Sequence, residues 1–146
     1  MTKRVSRQSK HLETPGKALP DNLLGELEAE VMHYMWELER ATVQRVVRLI
    51  SFRRTIAYTT VMTVMGHLVR KGLLARTSDG KRYTYRVALT RDEFLRRASR
   101  ERIGRLVSDF GDLAIAGFIE EIARSVPEKL QQTKDLLETA GKNPRT

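Results

Sequence analysis

Apolar residues return every three or four positions from Leu27 through Val31, Tyr34 and Met35 to Leu38, the spacing of one helix face. Glutamates fill the start of this segment, where the helix dipole favours negative charge, and Gly25 stands as its cap. A first helix is therefore expected over Glu26 to Glu39. A short second helix follows Thr42, with Val43, Val46, Val47 and Ile50 inward and Arg45 and Arg48 outward. The cluster Ser51-Phe52-Arg53-Arg54-Thr55 breaks that pattern. A third helix runs from Tyr58 to Lys71 and stops at Gly72, a C-terminal signal. Its apolar set is Val61, Val64, Met65 and Leu68.

Period three-and-a-half then gives way to period two. Leu74 to Ser78 and Lys81 to Val87 flank Asp79-Gly80, the signature of a two-residue hairpin. Tyr83, Tyr85 and Val87 alternate with Arg82, Thr84 and Arg86, so the tyrosine side is expected to pack and the other to be basic. Three helices followed by a hairpin with a charged tip is the order of a winged helix-turn-helix. From Thr90 the helical period returns. Thr90-Arg91-Asp92-Glu93 is a capping box opening a helix to about Phe110, with Leu95, Ile103, Leu106 and Phe110 on one side. Asp112 to Arg124 aligns Leu113, Ala116, Ile119 and Ile122, and a last segment from Pro127 carries Leu130, Leu136 and Leu137. Short amphipathic helices without a sheet bury their faces poorly alone, so a second copy of the chain is the expected partner.

The expected fold is thus mainly α with a small β-hairpin wing. It divides into a flexible basic tail (1–22), a winged-helix DNA-binding domain (23–90), a helical dimerisation domain (91–140) and a flexible C-terminus (141–146).

Charge sharpens this picture. Residues 23–39 hold five glutamates and no lysine or arginine, whereas residues 40–90 hold eleven basic residues against one acid, Asp79. That middle third alone therefore matches or exceeds the whole chain's net charge of +9. A basic surface so concentrated is a footprint for a polyanion, nucleic acid first. It also gives meaning to the third helix, whose first turns carry Tyr58, Thr59, Thr60 and Thr63 although threonine is a mediocre helix former. The face opposite its apolar set reads Thr59, Thr60, Thr63, Gly66, His67 and Arg70, without acid. Short hydroxyl side chains allow close approach to a major groove and can meet phosphates, base edges or thymine methyls. Thr60 and Thr63 are expected to read bases beside Thr59 and His67, with Arg53, Arg54, Arg70, Lys81 and Arg82 on phosphates.

Other chemistry finds little support. There is no cysteine, and His11, His33 and His67 lack metal-ligand spacing, so no metal site is expected. Neither GxxxxGK[ST] nor GxGxxG occurs, which argues against a nucleotide cofactor, and no convergent carboxylates suggest an enzyme. No apolar run approaches membrane-spanning length and no signal peptide is evident, so a cytoplasmic location and no membrane partner are expected. The alternative is an architectural DNA- or RNA-binding protein without sequence preference. Base-stacking modules need exposed aromatics on a sheet, and only Tyr83 and Tyr85 come close.

The blocks LGELEAEVMHYMWEL, ATVQRVV, AYTTVMTVMGHLVRKGLLAR and GKRYTYRV together resemble the BlaI/MecI/CopY family of penicillinase-type repressors, over roughly residues 24 to 140. The resemblance implies a winged-helix repressor that binds a dyad-symmetric, double-stranded DNA operator as a homodimer. The positions matching the family's contact face are Thr59, Thr60, Met62, Thr63 and His67, and those matching its wing contacts are Lys81 and Arg82. It also places dimer contacts in the C-terminal helices, for which Leu106, Phe110, Leu113, Phe118, Ile119, Ile122, Leu130 and Leu137 are the candidates. Members that answer β-lactam antibiotics are released when a sensor-linked protease cuts before a phenylalanine in this region. The matching bond is Gly117-Phe118, with glycine where the best-known members have asparagine. The cysteine cluster of copper-responsive members is absent, and the long basic N-terminal tail departs from the family pattern.

Overall fold

The computed structural model describes residues 18–20 and 22–142. Its elements are α1 (Glu26–Leu38), β1 (Arg40–Ala41), α2 (Val43–Ser51), α3 (Tyr58–Arg70), β2 (Leu74–Ser78), β3 (Tyr83–Val87), α4 (Arg91–Phe110), α5 (Asp112–Ser125) and α6 (Lys129–Lys142). They form two compact units that divide after Ala98. The fold is mainly helical with a small antiparallel sheet of order β1-β3-β2. The basic tail expected over residues 1–22 lies for the most part outside the described residues. Its end is not free, because Leu19 packs against the core. At the other terminus α6 continues to Lys142, past the expected start of a flexible end, and residues 143–146 lie outside the described residues.

Local chemistry sets the helix ends. The Gly25 amide donates to Glu28 Oε1 at 3.0 Å and opens α1. Glu39, at φ +64, stops it in a left-handed conformation that L residues adopt at a penalty of about 1 kcal/mol. That turn delivers the chain into β1, and Glu39 O accepts the Val87 amide at 2.9 Å. In α2, Thr42 Oγ1 accepts the Arg45 amide at 3.2 Å. Helix α3 closes in a Schellman arrangement, with Gly72 at φ +81 donating to Val69 O and Leu73 donating to Leu68 O. The box at α4 is reciprocal: Glu93 N donates to Thr90 Oγ1 at 3.2 Å and Thr90 N to Glu93 Oε2 at 2.8 Å.

The core of the first unit joins Val31, Met32 and Met35 of α1, Val46 and Ile50 of α2, and Val61, Met65 and Leu68 of α3, all fully buried. Leu73, Leu74, Tyr85 and Phe94 close it. The unit reaches beyond the strands into α4 because Phe94, Leu95 and Ala98 are buried there. Trp36 belongs to this packing, donating Nε1–H to Leu89 O at 3.0 Å with its ring 5.9 Å from that of Phe94.

The hairpin differs from the two-residue turn expected. Ser78 pairs with Tyr83, leaving a four-residue connection, Asp79 to Arg82, closed by Asp79 N on Arg82 O at 3.2 Å. This shifts the register by two residues, which preserves the face of every side chain. Tyr85 packs at 1% exposure, but Tyr83 stands 52% exposed, contrary to the expectation that both pack inward. Tyr83 lies nearer the tip, past the edge of the core.

In the second unit, α5 and α6 bury no side chain. Ile103, Leu106, Val107, Phe110, Leu113, Ile115, Phe118 and Leu137 are all more than 40% exposed. Among the described residues no helix is long and apolar enough to cross a membrane.

One ion pair ties α1 to the end of α3: Lys71 Nζ lies 2.8 Å from Glu28 Oε1 and 2.7 Å from Oε2. Burial pushes the Glu28 carboxyl up, but hydrogen bonds from Lys71 and the Gly25 amide, with the charges of Lys71 and His67, hold it below the usual glutamate value. A depressed folded-state value means that the contribution to stability is complete above the ordinary carboxylate range and is lost as pH falls through the lowered value. Glu28→Gln is therefore expected to flatten the rise in unfolding midpoint between about pH 3 and pH 5, where glutamate titrates. An unchanged rise in that variant would assign it to other carboxylates.

Candidate nucleic-acid interface

With successive residues about 100° apart on a helix, burial of Val61, Met65 and Leu68 fixes what α3 shows to solvent. The exposed arc holds Met62, Thr59, Arg70, Thr63, His67 and Thr60. Gly66 lies within it, and a Cβ there would meet nothing within 4 Å, so packing does not demand glycine. Its effect is to keep the middle of the face low. Ala57 provides no side-chain cap, unlike Thr42 at α2 and Thr90 at α4. Each threonine of this face weakens the helix by roughly 0.5 kcal/mol relative to alanine. Three such losses are small beside the roughly 1.5–3 kcal/mol from each fully buried core side chain, so the face is free to carry other chemistry.

The cations expected on phosphates do not stand alike. Arg53 and Arg70 are exposed and have no acidic partner among the described residues. Arg54 is different: its Nη2 lies 2.5 Å from Glu30 Oε2 on α1, whose side chain is 19% exposed. Much of its charge is thus already balanced. Lys81 and Arg82 are exposed at the wing tip, beside Gly80 at φ +100. Two features escaped the sequence pattern. Arg76 lies over the Tyr83 ring, 4.3 Å from its centroid, a neighbour that only the strand register reveals. Arg40 and Arg86 face each other across β1 and β3, a pairing visible only once the two-residue β1 is known.

Of the residues expected at a dimer contact, Leu106, Phe110, Leu113, Phe118, Ile119 and Leu137 are exposed, and Ile122 and Leu130 are half-buried. Gly117-Phe118 lies in the middle of α5. No cluster of three metal-ligating side chains occurs among the described residues. His33 is exposed beside Glu37, 3.7 Å away.

The chain matches the Penicillinase repressor family over residues 24–139, from just before α1 into α6. It belongs to the penicillinase repressor family. The Transcriptional regulator BlaI of Mycobacterium tuberculosis, in two strains, is 32% identical over 123 residues, which span 82% of this chain and 88% of that protein. An uncharacterized 16.5 kDa protein of Latilactobacillus sakei is 26% identical over 117 residues, 80% of each chain. For a penicillinase repressor family member, the match embraces both compact units, the helix-rich second one included.

The unequal surroundings of Arg53 and Arg54 make a testable difference. Replacing Arg53 by alanine is expected to reduce the salt dependence of DNA binding by about one unit of slope, as for one lost phosphate contact. Arg54→Ala is expected to change it by clearly less, because Glu30 already serves as counter-ion. Equal slopes for the two variants, from affinities measured at several salt concentrations, would show that DNA draws Arg54 away from Glu30.

Proposed function

We propose that this protein binds a two-fold symmetric DNA operator as a homodimer, with the α3 helix of each copy in a major groove. As a member of its family it is a DNA-binding transcriptional repressor. What supports the finer reading most is the rotation of α3, which turns Thr59, Thr60, Thr63 and His67 outward within a segment holding eleven basic residues and one acid. Thr60 and Thr63 read bases, Thr59, Met62 and His67 flank them, and Arg53, Arg70, Lys81 and Arg82 hold phosphates, with Arg54 in a lesser part. The wing lies on the backbone. Bound at an operator overlapping a promoter, the dimer blocks polymerase access in the cytoplasm.

Dimerisation uses the apolar stripes of α4, α5 and α6. Leu106, Phe110, Leu113, Phe118, Ile119 and Leu137 supply the exposed part and Ile122 and Leu130 the half-buried part. Large apolar side chains left exposed in such number along three successive helices are the mark of an interaction surface. A two-fold dimer also matches the symmetry of a palindromic site. Release by a sensor-linked protease at Gly117-Phe118 requires α5 to open first, since the bond lies within the helix.

Selection of bound duplexes from a random library, at near-physiological salt, tests this reading. A two-fold symmetric motif with half-sites about one helical turn or a small multiple apart is the expected product. Binding with no enriched sequence would contradict it and favour an architectural role.

A further inference from the structure

Strand register assigns each wing side chain to a face. Leu74 and Tyr85 are buried in the core, Arg76 stands opposite Tyr85, and Tyr83 stands opposite Ser78. Alternation along the strands puts all four on one side of the sheet. Arg76 and Tyr83 therefore continue the helix-facing side beyond the edge of the core, towards the tip. Both are exposed.

In that position the guanidinium carbon of Arg76 lies 4.3 Å from the centroid of the Tyr83 ring. Among the described residues Arg76 has no acidic partner, in contrast to Arg54 and Lys71, whose charges are met by Glu30 and Glu28. A guanidinium stacked on an aromatic ring is held in one plane with its N–H edge free, the arrangement suited to two-pronged recognition of a phosphate. An exposed ring used as a platform also accounts for the tyrosine that does not pack inward.

Building on the DNA-binding reading above, we propose that Arg76 is a phosphate-binding residue of the wing and that Tyr83 is its positioning residue. Arg76 fixes a phosphate further from the tip of the wing than Lys81 and Arg82, which lie in the connection between the strands. Tyr83 contributes by restricting the guanidinium before DNA arrives, which reduces the ordering needed on binding.

The test is the salt-dependent affinity of the full-length protein for the duplex that selection enriches, with unfolding midpoints measured in parallel. Arg76→Ala is expected to weaken binding about fivefold at 0.15 M salt and to lower the salt slope by about one unit. Tyr83→Phe, which keeps the ring, should bind as the parent does. Tyr83→Leu should weaken binding about two- to fivefold, with no further loss when added to Arg76→Ala. An unchanged slope for Arg76→Ala, or an equal loss from Tyr83→Leu with and without Arg76, would overturn the proposal while leaving the operator reading intact. Failure of the parent protein to enrich any duplex would overturn both.

Discussion

The orientation of α3 about its own axis depends on three side chains. Val61, Met65 and Leu68 are fully buried against Val31, Met32 and Met35 of α1 and Val46 and Ile50 of α2. A roll of α3 by one residue, about 100°, in the sense that turns Thr60, Val64 and His67 inward would bury a hydroxyl and an imidazole and expose valine, methionine and leucine. Buried polar groups without partners and lost apolar burial would together cost several kcal/mol, on the scale of the unit's whole stability. The core therefore decides which side chains a ligand can meet. The threonine face, the position of the wing after Gly72 and the approach of Arg53 all follow from that one packing choice.

Electrostatics then grades the surface that packing exposes. Helix α1 carries four glutamates, and two of them reach the elements around α3: Glu30 meets Arg54 ahead of it and Glu28 meets Lys71 at its end. The basic excess counted along residues 40–90 is thus not uniformly available to a ligand. Arg53, Arg70, Lys81 and Arg82 keep their charge for an outside partner, whereas Arg54 and Lys71 share theirs with α1. Such partly exposed pairs add little to stability individually, but they hold the two flanks of α3 to α1.

Most of this architecture was legible in the sequence because its signals are local. Thr42, Thr90 with Glu93, and Gly72 cap helices through neighbours three or four residues away, and the helical period alone marked the face that includes Thr60, Thr63 and His67. What escaped depends on distant partners. Strand β1 is two residues long and exists only through its pairing with β3, and Glu39 takes its left-handed conformation to reach it. Asp79-Gly80 suggested a tighter turn than the one formed, since pairing of Ser78 with Tyr83 overrode that local preference. The link of Arg54 to Glu30 spans 24 residues, beyond any spacing rule. The stack of Arg76 on Tyr83 required the true register.

In the proposed mode of binding the outward threonines read bases while the surrounding cations hold the backbone. The most direct measurement is the base preference at each operator position for the parent protein and for Thr63→Ala, which the core leaves free to fold. The expected result is an altered preference confined to the positions under α3, symmetric in the two half-sites, with the salt slope unchanged. An identical preference profile in the variant would contradict it and return that face to ordinary solvated surface.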